Sequence, residues 1–397
     1  MTIIVPSATT TPGSMTSSLR SRAAGIVRGD DPPPDRPTDR GRIALAFLVP
    51  ILLYLGGVGI RIVRQPKLNF DEHIFLDVGR HILDTGLPLR AYAVPGSPTL
   101  FFDHTPLYVY FVALVTALGG PTDVILRSAT LVFGLLTVIL VFRIGLELRG
   151  LGSAFVGSLV LAVNPFFVTF SWFIRMEVPL CFFLVLALYL LIHERLLLAG
   201  LAIATAVLLK EIALAFWLVA VVYVLIRRGG RAAAIVGIPT PIVFGAWLAY
   251  AADIGLEQLL GTMGRWLGSA AGSTIRDPRL HVGLRTWVNE ILLGVIGPVM
   301  IFAAGATAAL VAVGRRAAPR IVVVPIAYVV VAVAASFLIR LKEPRFLIAI
   351  VPMIALSIAL LIDWDDIWAQ VRRDDRSRRV GSTAHPSADL TAGTDSR

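Results

Sequence analysis

The chain has 397 residues, of which 56% are hydrophobic and only 16% are charged, and its mean hydropathy is +0.80. This composition excludes a soluble globular protein and a disordered chain, because recurring long apolar runs are what bilayer crossings require. Lys and Arg together number 36, against 26 Asp and Glu. In a membrane protein we interpret this excess as a topology signal, and we expect no nucleic-acid partner.

Polar stretches frame a long apolar region. Residues 1–42 are rich in Ser, Thr, Pro, Asp and Arg and predict a disordered cytoplasmic tail, and residues 363–397 predict a second, mobile tail. Residues 43–362 predict an all-α fold, a polytopic transmembrane helical bundle of about ten spans. The spans are expected near residues 43–60, 124–142, 153–170, 178–192, 197–210, 212–226, 233–252, 287–313, 321–339 and 346–362.

The positive-inside rule orients this bundle. The apolar run 106–119 has only about 14 residues and begins after a His-Thr sequence, which fits an interfacial or re-entrant helix better than a span, so we assign it to the first outer loop, residues 61–123. Both termini then lie in the cytoplasm of an integral plasma (inner) membrane protein. The inner loops carry Arg143, Arg149, Arg195, Arg227, Arg228, Arg231, Arg315, Arg316 and Arg320, and the outward stretches are 61–123, 171–177, 253–286 and 340–345.

Carboxylates and cations share the outward side. Asp71 and Glu72 follow the first helix, where the helix dipole of a solvated helix start would also favour acidic residues. Arg175 and Glu177 lie in a very short turn between two apolar helices. Ionisable groups at that membrane depth are costly and usually functional.

Further cations occur at the expected outer helix ends. Lys210 interrupts an apolar stretch, either as a functional group or as a snorkelling pair with the adjacent Glu211. Arg340, Lys342 and Arg345 lie on the side that the positive-inside rule disfavours. Cations gathered at an outer membrane surface suit the phosphate of an anionic lipid.

This combination of groups suits sugar transfer from a lipid phosphate. The leaving group is already a stable phosphate anion, so no general acid is needed, in contrast to glycoside hydrolysis with its two carboxylates. One carboxylate takes the proton of an acceptor hydroxyl, and Arg or Lys stabilises the charge that develops on the phosphate.

The order of several short motifs resembles the GT-C glycosyltransferases over roughly residues 43–362, and within them the family 39 type. That type includes the protein O-mannosyltransferases and the lipid A aminoarabinose transferase. The motifs are Phe70-Asp71-Glu72, His104-Thr105-Pro106-Leu107-Tyr108, Asn164-Pro165, Arg175-Met176-Glu177-Val178-Pro179-Leu180 and Pro344-Arg345-Phe346-Leu347.

The resemblance implies a membrane enzyme of the cell envelope that uses a polyprenyl-phosphate sugar donor, acts on the extracytoplasmic face and inverts the anomeric carbon. It implies that Asp71 is the base, with Glu72 and Glu177 as further acidic catalytic positions. The acceptor is expected to be a glycan, lipid or protein hydroxyl. No metal or other cofactor is expected to be required. The candidates for binding the donor phosphate are His104, Arg175, Lys210, Lys342 and Arg345.

Two local interpretations stay open. His73, Asp77 and His81 share one face of a possible helix, where they offer either a divalent metal set or only a polar surface. Asp103 either positions His104 as a charged phosphate contact or belongs to a cap of the helix that follows.

Two wider interpretations also stay open. The stretch 253–286 is either an acceptor or lid loop or an interfacial amphipathic loop. The alternative function is a transporter or flippase of a lipid-linked or anionic substrate, in which intramembrane charges line a path. The absence of an internal repeat and the clustering of charges toward one face count against it.

Overall fold

The computed structural model describes residues 37–64, 67–92, 94, 96–120, 122–271, 319–338 and 344–370. The chain divides into two units, Met1–Ala44 and Leu45–Arg397. Of the first unit, only the start of one helix lies within the described residues.

Helices dominate the described residues. They are α1 (Pro37–Arg64), α2 (Phe70–Thr85), α3 (Leu107–Gly119), α4 (Asp123–Arg149), α5 (Leu151–Ala162), α6 (Pro165–Phe170), α7 (Glu177–Ile192), α8 (Leu196–Leu209), α9 (Leu214–Arg228), α10 (Gly230–Gly237), α11 (Pro239–Ala271), α12 (Val323–Leu338), α13 (Val351–Leu361) and α14 (Trp364–Gln370). Short 3-10 helices cover Glu211–Ala213, Arg320–Val322 and Pro344–Ile350. Between α2 and α3, strands β1 (Leu89–Arg90) and β2 (Thr99–Leu100) pair antiparallel.

Long apolar helices confirm the predicted helical membrane fold. Among the described residues, 3 helices are long and apolar enough to cross a bilayer, within α1, α4 and the α10–α11 region, or 4 if the bent pair α13–α14 forms one span. Shorter apolar helices, such as α7 and α8, accompany them. The count of about ten spans stays a prediction.

The structure divides predicted helices at helix-capping residues. The predicted helix 153–170 breaks after α5, because the Asn164 side chain accepts a hydrogen bond from Phe167 N at 2.9 Å and caps α6. Pro165 occupies the first turn of α6, where a missing N–H costs nothing. The predicted helix 287–313 lies outside the described residues.

Helix α11 extends beyond its predicted end, into the stretch 253–286 that we expected to be a loop. It bends at Gly255, where a Cβ atom would lie only 2.3 Å from Leu100 Cδ1 of β2. Ala251 and Leu259 pack against Phe102, which explains why the chain stays helical here. Residues 272–286 lie outside the described part of the chain.

The main hydrophobic core joins the long helix α4 to several shorter apolar helices. Its buried side chains include Val141 of α4, Leu184 of α7, Ile203 of α8, Phe216 of α9 and Leu356 of α13. The outer surfaces of several helices are apolar as well, and this exposed surface is what a bilayer covers.

A second core builds the first outer loop into a folded layer. The ring of Phe75 on α2 meets the ring of Tyr108 on α3 edge to face, with centroids 5.1 Å apart. A Cβ atom at Gly79 would lie 2.9 Å from Val112, so the missing side chain lets α2 and α3 approach closely. Helix α3 has 13 residues, about 20 Å, which is shorter than the hydrocarbon core of a bilayer.

A buried ion pair ties this layer to the transmembrane helices. Glu72 and Arg127 of α4 are both fully buried, and Arg127 Nε and Nη2 donate to the Glu72 carboxylate at 3.0 and 3.1 Å. Glu72 also completes a capping box at the start of α2 with Asn69. Its Oε1 also accepts a hydrogen bond from Ile174 N at 2.9 Å, in the turn between α6 and α7. One carboxylate therefore connects α2, α4 and this turn.

We expect Arg127→Met to destabilise the protein strongly, because it leaves the Glu72 carboxylate buried without its cation, a loss of about 3–5 kcal/mol. The matched control is Arg143→Met on the same helix, where the guanidinium is exposed and pairs with Glu147 at 3.1 Å. That exposed pair is worth about 0–1 kcal/mol. Thermal unfolding of the purified proteins in detergent measures both changes. Equal melting temperatures for the two variants would contradict the role of the buried pair.

Candidate active site

A cavity of about 210 Å³ opens where α2, the β1–β2 hairpin and the ends of α7 and α8 meet. It brings together residues that lie far apart in sequence and that include most of the predicted site residues. Its lining is Phe70, Asp71, Ile74, Phe75, Arg90, Phe101, Asp103, His104, Arg175, Met176, Glu177 and Lys210.

Asp71 and Arg175 form one wall of the cavity. Asp71 lies in the first turn of α2, two residues after the Asn69 cap, and its Oδ2 is 2.7 Å from Arg175 Nη2. Arg175 is held over the rings of Phe170 and Phe173, at 5.5 Å from each centroid. The ion pair and the two rings fix the position of both charged groups, and Asp71 stays partly accessible, with 23% of its side chain exposed.

Glu177 and Lys210 form a second, deeper pair. Lys210 Nζ donates to Glu177 Oε1 at 2.9 Å, and the two side chains are only 3% and 5% exposed. Glu177 is the first residue of α7, and Lys210 ends α8 in an extended conformation. The snorkelling alternative for Lys210 is therefore wrong, because its ammonium group is buried against a carboxylate of another helix.

The opposite wall comes from the hairpin and the segment before α3. Arg90 Nη1 pairs with Asp103 Oδ2 at 3.1 Å. Helix α3 begins after Pro106, with no side-chain cap, so the capping interpretation of the Asp103-His104 sequence is wrong. Burial lowers the pKa of His104 below its usual value, an effect that Glu211 opposes and Lys210 reinforces. The burial of His104 thus favours its neutral imidazole, and its predicted contact with the donor phosphate stays a prediction.

Of the remaining predicted site residues, Glu72 does not line the cavity. Its carboxylate is buried in the contacts with Asn69, Arg127 and Ile174, so we assign it the role of positioning Asp71 next to the turn that carries Arg175. Lys342 and the side chain of Arg345 lie outside the described residues, and their predicted roles remain predictions.

The residues considered for a divalent ion make other contacts. Asp77 Oδ2 accepts hydrogen bonds from Ala91 N and Tyr92 N at 2.7 and 2.8 Å, and the ring of His73 stacks on Tyr92. The Asp77 carboxylate thus anchors the chain after β1 to α2. Within the described ranges, no group of three or more His, Cys, Asp or Glu side chains is placed to hold a metal ion.

Sequence reasoning missed Arg90 and Arg127. Arg127 had a usable signal, because a lone arginine inside the predicted apolar span 124–142 must be paired or must face a polar site. Arg90 had no such signal, since an arginine in a long outer loop is unremarkable in sequence and only the hairpin brings it to the cavity.

The lowered pKa of His104 predicts a pH dependence of stability. The unfolded chain binds a proton on this residue at about pH 6.5, whereas the folded chain does so only at lower pH. The free energy of unfolding should therefore decrease as the pH falls below this value, and His104→Gln should weaken the decrease. Melting temperatures of both proteins at about pH 7.5 and about pH 5.5 measure it. An identical decrease in the variant would show that His104 is not responsible.

Comparison with known families supports the motif resemblance. The profile of a family described as dolichyl-phosphate-mannose-protein mannosyltransferase matches residues 103–251. The matched stretch contains His104, Arg175, Glu177 and Lys210 of the cavity, and it begins after Asp71. No curated protein matches the chain significantly.

Solved structures show the same fold at low sequence identity. The crystal structure of ArnT from Cupriavidus metallidurans bound to undecaprenyl phosphate matches at 16% identity and a TM-score of 0.63, over 81% of this chain and 60% of that one. The oligosaccharyltransferase AglB from Archaeoglobus fulgidus, in complex with an inhibitory peptide and a dolichol-phosphate, matches at 13% identity and a TM-score of 0.53, over 90% and 53%.

The chain thus spans 60% of the ArnT chain and 53% of the AglB chain. Both proteins are GT-C glycosyltransferases. The long apolar helices, the family profile and the structural matches agree: the chain has the fold of these GT-C glycosyltransferases, and it resembles the protein mannosyltransferases and ArnT.

Proposed function

We propose that this protein is a membrane glycosyltransferase that moves a sugar from a polyprenyl-phosphate donor to an acceptor hydroxyl. The single observation that carries the proposal is the Asp71–Arg175 pair, a partly accessible carboxylate held beside a guanidinium on the wall of a cavity. The fold shared with ArnT, whose structure holds undecaprenyl phosphate, supports the choice of donor.

The proposed reaction needs one base and one anion-binding group. The acceptor oxygen attacks the anomeric carbon from the face opposite the phosphate, and Asp71 takes the hydroxyl proton. The bond between the anomeric carbon and the phosphate oxygen breaks, and its electron pair leaves with the polyprenyl phosphate. Attack from the opposite face inverts the configuration at the anomeric carbon.

Arg175 is the cation best placed for the donor phosphate. It lines the cavity, and its Nε is buried without a hydrogen-bond acceptor among the described residues. Its Nη2 is already bound to Asp71. A phosphate on Nε would thus bind next to the proposed base, which is the proximity that the reaction requires.

The deeper Lys210–Glu177 pair lies behind this site, and its two buried charges balance each other. The cavity volume of about 210 Å³ is below the 300–1,000 Å³ typical of ligand sites. It therefore suits the polar head of the donor, with the apolar polyprenyl chain lying outside in the bilayer. We further propose that this end of the bundle is the extracytoplasmic one, as the distribution of arginines predicts.

The transporter or flippase alternative requires charges along a path through the bundle. The buried ionised groups of the described residues are Glu72, Arg127, Glu177 and Lys210, and each lies near the end of its helix at the candidate site. This distribution favours chemistry at one membrane surface over transport.

We expect Asp71→Asn to lower transfer by about 100-fold or more, since general base catalysis contributes on the order of 10²–10⁴. The matched control is Asp84→Asn, an exposed carboxylate on the same helix, which should keep full activity. Transfer of radiolabelled sugar from a panel of polyprenyl-phosphate sugars to endogenous acceptors, in membranes carrying each protein, measures the effect. Transfer by Asp71→Asn at the wild-type rate would show that Asp71 is not the base. If the folded wild-type protein transferred sugar from none of the donors, the transporter or flippase function would be favoured.

We also expect Arg175→Gln to raise the KM for the donor more than the KM for the acceptor, because Gln keeps a polar side chain but loses the positive charge. Arg80→Gln, an exposed arginine on α2, is the control. Initial rates at varied donor and acceptor concentrations separate the two constants. An unchanged donor KM would contradict the proposed phosphate contact.

A further inference from the structure

A second cavity, of about 500 Å³, lies at the other end of the bundle. Helix α7 connects the two places, because it begins with Glu177 at the candidate active site and ends with Ile192 at this second cavity. Its 16 residues correspond to about 24 Å. The two cavities are thus separated by most of the thickness of a bilayer's hydrocarbon core. They share no lining residue.

The lining of the second cavity combines apolar side chains with arginines. The apolar part includes Leu191, Ile192 and Leu196, and the arginines are Arg227, Arg228 and Arg320. The α4, α7, α8 and α9 ends and the 3-10 helix before α12 all contribute. An apolar wall with guanidinium groups suits a ligand that has both an apolar part and an anionic part.

The arginines differ in how their charge is compensated. Arg228 forms a two-pronged ion pair with Glu194, and this pairing lowers the pKa of the Glu194 carboxyl. Arg227 and Arg320 make no ion pair with any other described residue. Two positive charges at the cavity are therefore available to an external anion within the described structure.

A topology signal alone does not require this arrangement. Arg231 contributes to the positive-inside bias just as well, yet it is exposed on α10 and does not line the cavity. The positive-inside bias does not explain why Arg227 and Arg320, which have no ion-pair partner among the described residues, lie beside an apolar cavity wall.

The surroundings of the cavity identify the kind of ligand. Leu197, Leu225 and Ile226 are sequence neighbours of lining residues, and they expose 57%, 49% and 76% of their surface as lipid-facing side chains do. A ligand could therefore reach the cavity from the bilayer. A phosphate between the arginines, with its glycerol and the start of its acyl chains on the apolar wall, satisfies both parts of the lining.

We propose that this second cavity is a binding site for an anionic phospholipid of the membrane leaflet opposite the candidate active site, with Arg227 and Arg320 binding the headgroup phosphate. The inference is independent of the proposed glycosyl transfer, because it uses none of the residues of the first cavity.

The test compares full-length wild type, the double variant Arg227→Gln/Arg320→Gln and the matched control Arg231→Gln, each purified in a neutral detergent. Short-chain phosphatidylglycerol, short-chain phosphatidylcholine and inorganic phosphate are titrated separately, and bound lipid is counted by native mass spectrometry. Wild type and Arg231→Gln should prefer phosphatidylglycerol to phosphatidylcholine. The double variant should bind phosphatidylglycerol roughly tenfold more weakly, since each lost arginine removes part of the electrostatic attraction to the anionic headgroup.

The proposal fails if the double variant keeps wild-type affinity, or if Arg231→Gln loses as much affinity as the double variant, since that would indicate a general effect of net charge. It also fails if inorganic phosphate binds as tightly as phosphatidylglycerol, because the apolar wall would then contribute nothing. Unchanged melting temperatures check that the variants fold, as expected for exposed arginines without ion pairs among the described residues.

Discussion

The arrangement of the candidate site depends on a single buried carboxylate. Glu72 has no contact with solvent, and a charge in such a place is tolerated only when ionic and hydrogen-bond partners surround it. Arg127, the Asn69 backbone and the Ile174 backbone supply them. Because these partners belong to different segments, satisfying one charge also fixes the start of α2 against α4 and against the turn before α7. Asp71 and Arg175 meet as a consequence.

The cost of burying a charge also explains where the candidate site lies. Hydrocarbon excludes charged side chains from the middle of the apolar helices, so ionised groups collect where helices begin, end or break. Glu177 opens α7 and Lys210 closes α8, and the two pair because these helix ends are adjacent. Burial of His104 on the wall of this cavity lowers the pKa of its imidazole. Charges held rigidly in such surroundings act strongly on a reacting group, because the surroundings do not need to reorganise.

The two ends of the bundle differ in how their charges are balanced. At the first cavity, Asp71, Arg175, Glu177 and Lys210 form ion pairs with one another within the chain. At the second cavity, Arg228 has its carboxylate, whereas neither Arg227 nor Arg320 is ion-paired with another described residue. Internal pairing preorganises a site for chemistry. Uncompensated cations beside an apolar wall instead create a site for an anion from the membrane.

The sequence by itself determined the class of protein and most of the candidate residues. Long apolar runs report bilayer crossing directly, and a charge near such a run is conspicuous because burying it is costly, which is how Asp71, Arg175, Glu177 and Lys210 were found. Only the tertiary structure decided their partners. Glu72 pairs with Arg127, 55 positions away, and Lys210 pairs with Glu177, 33 positions away. Hydropathy and capping are local properties of the chain, whereas which charges meet depends on how the helices pack, and no short stretch of sequence encodes that.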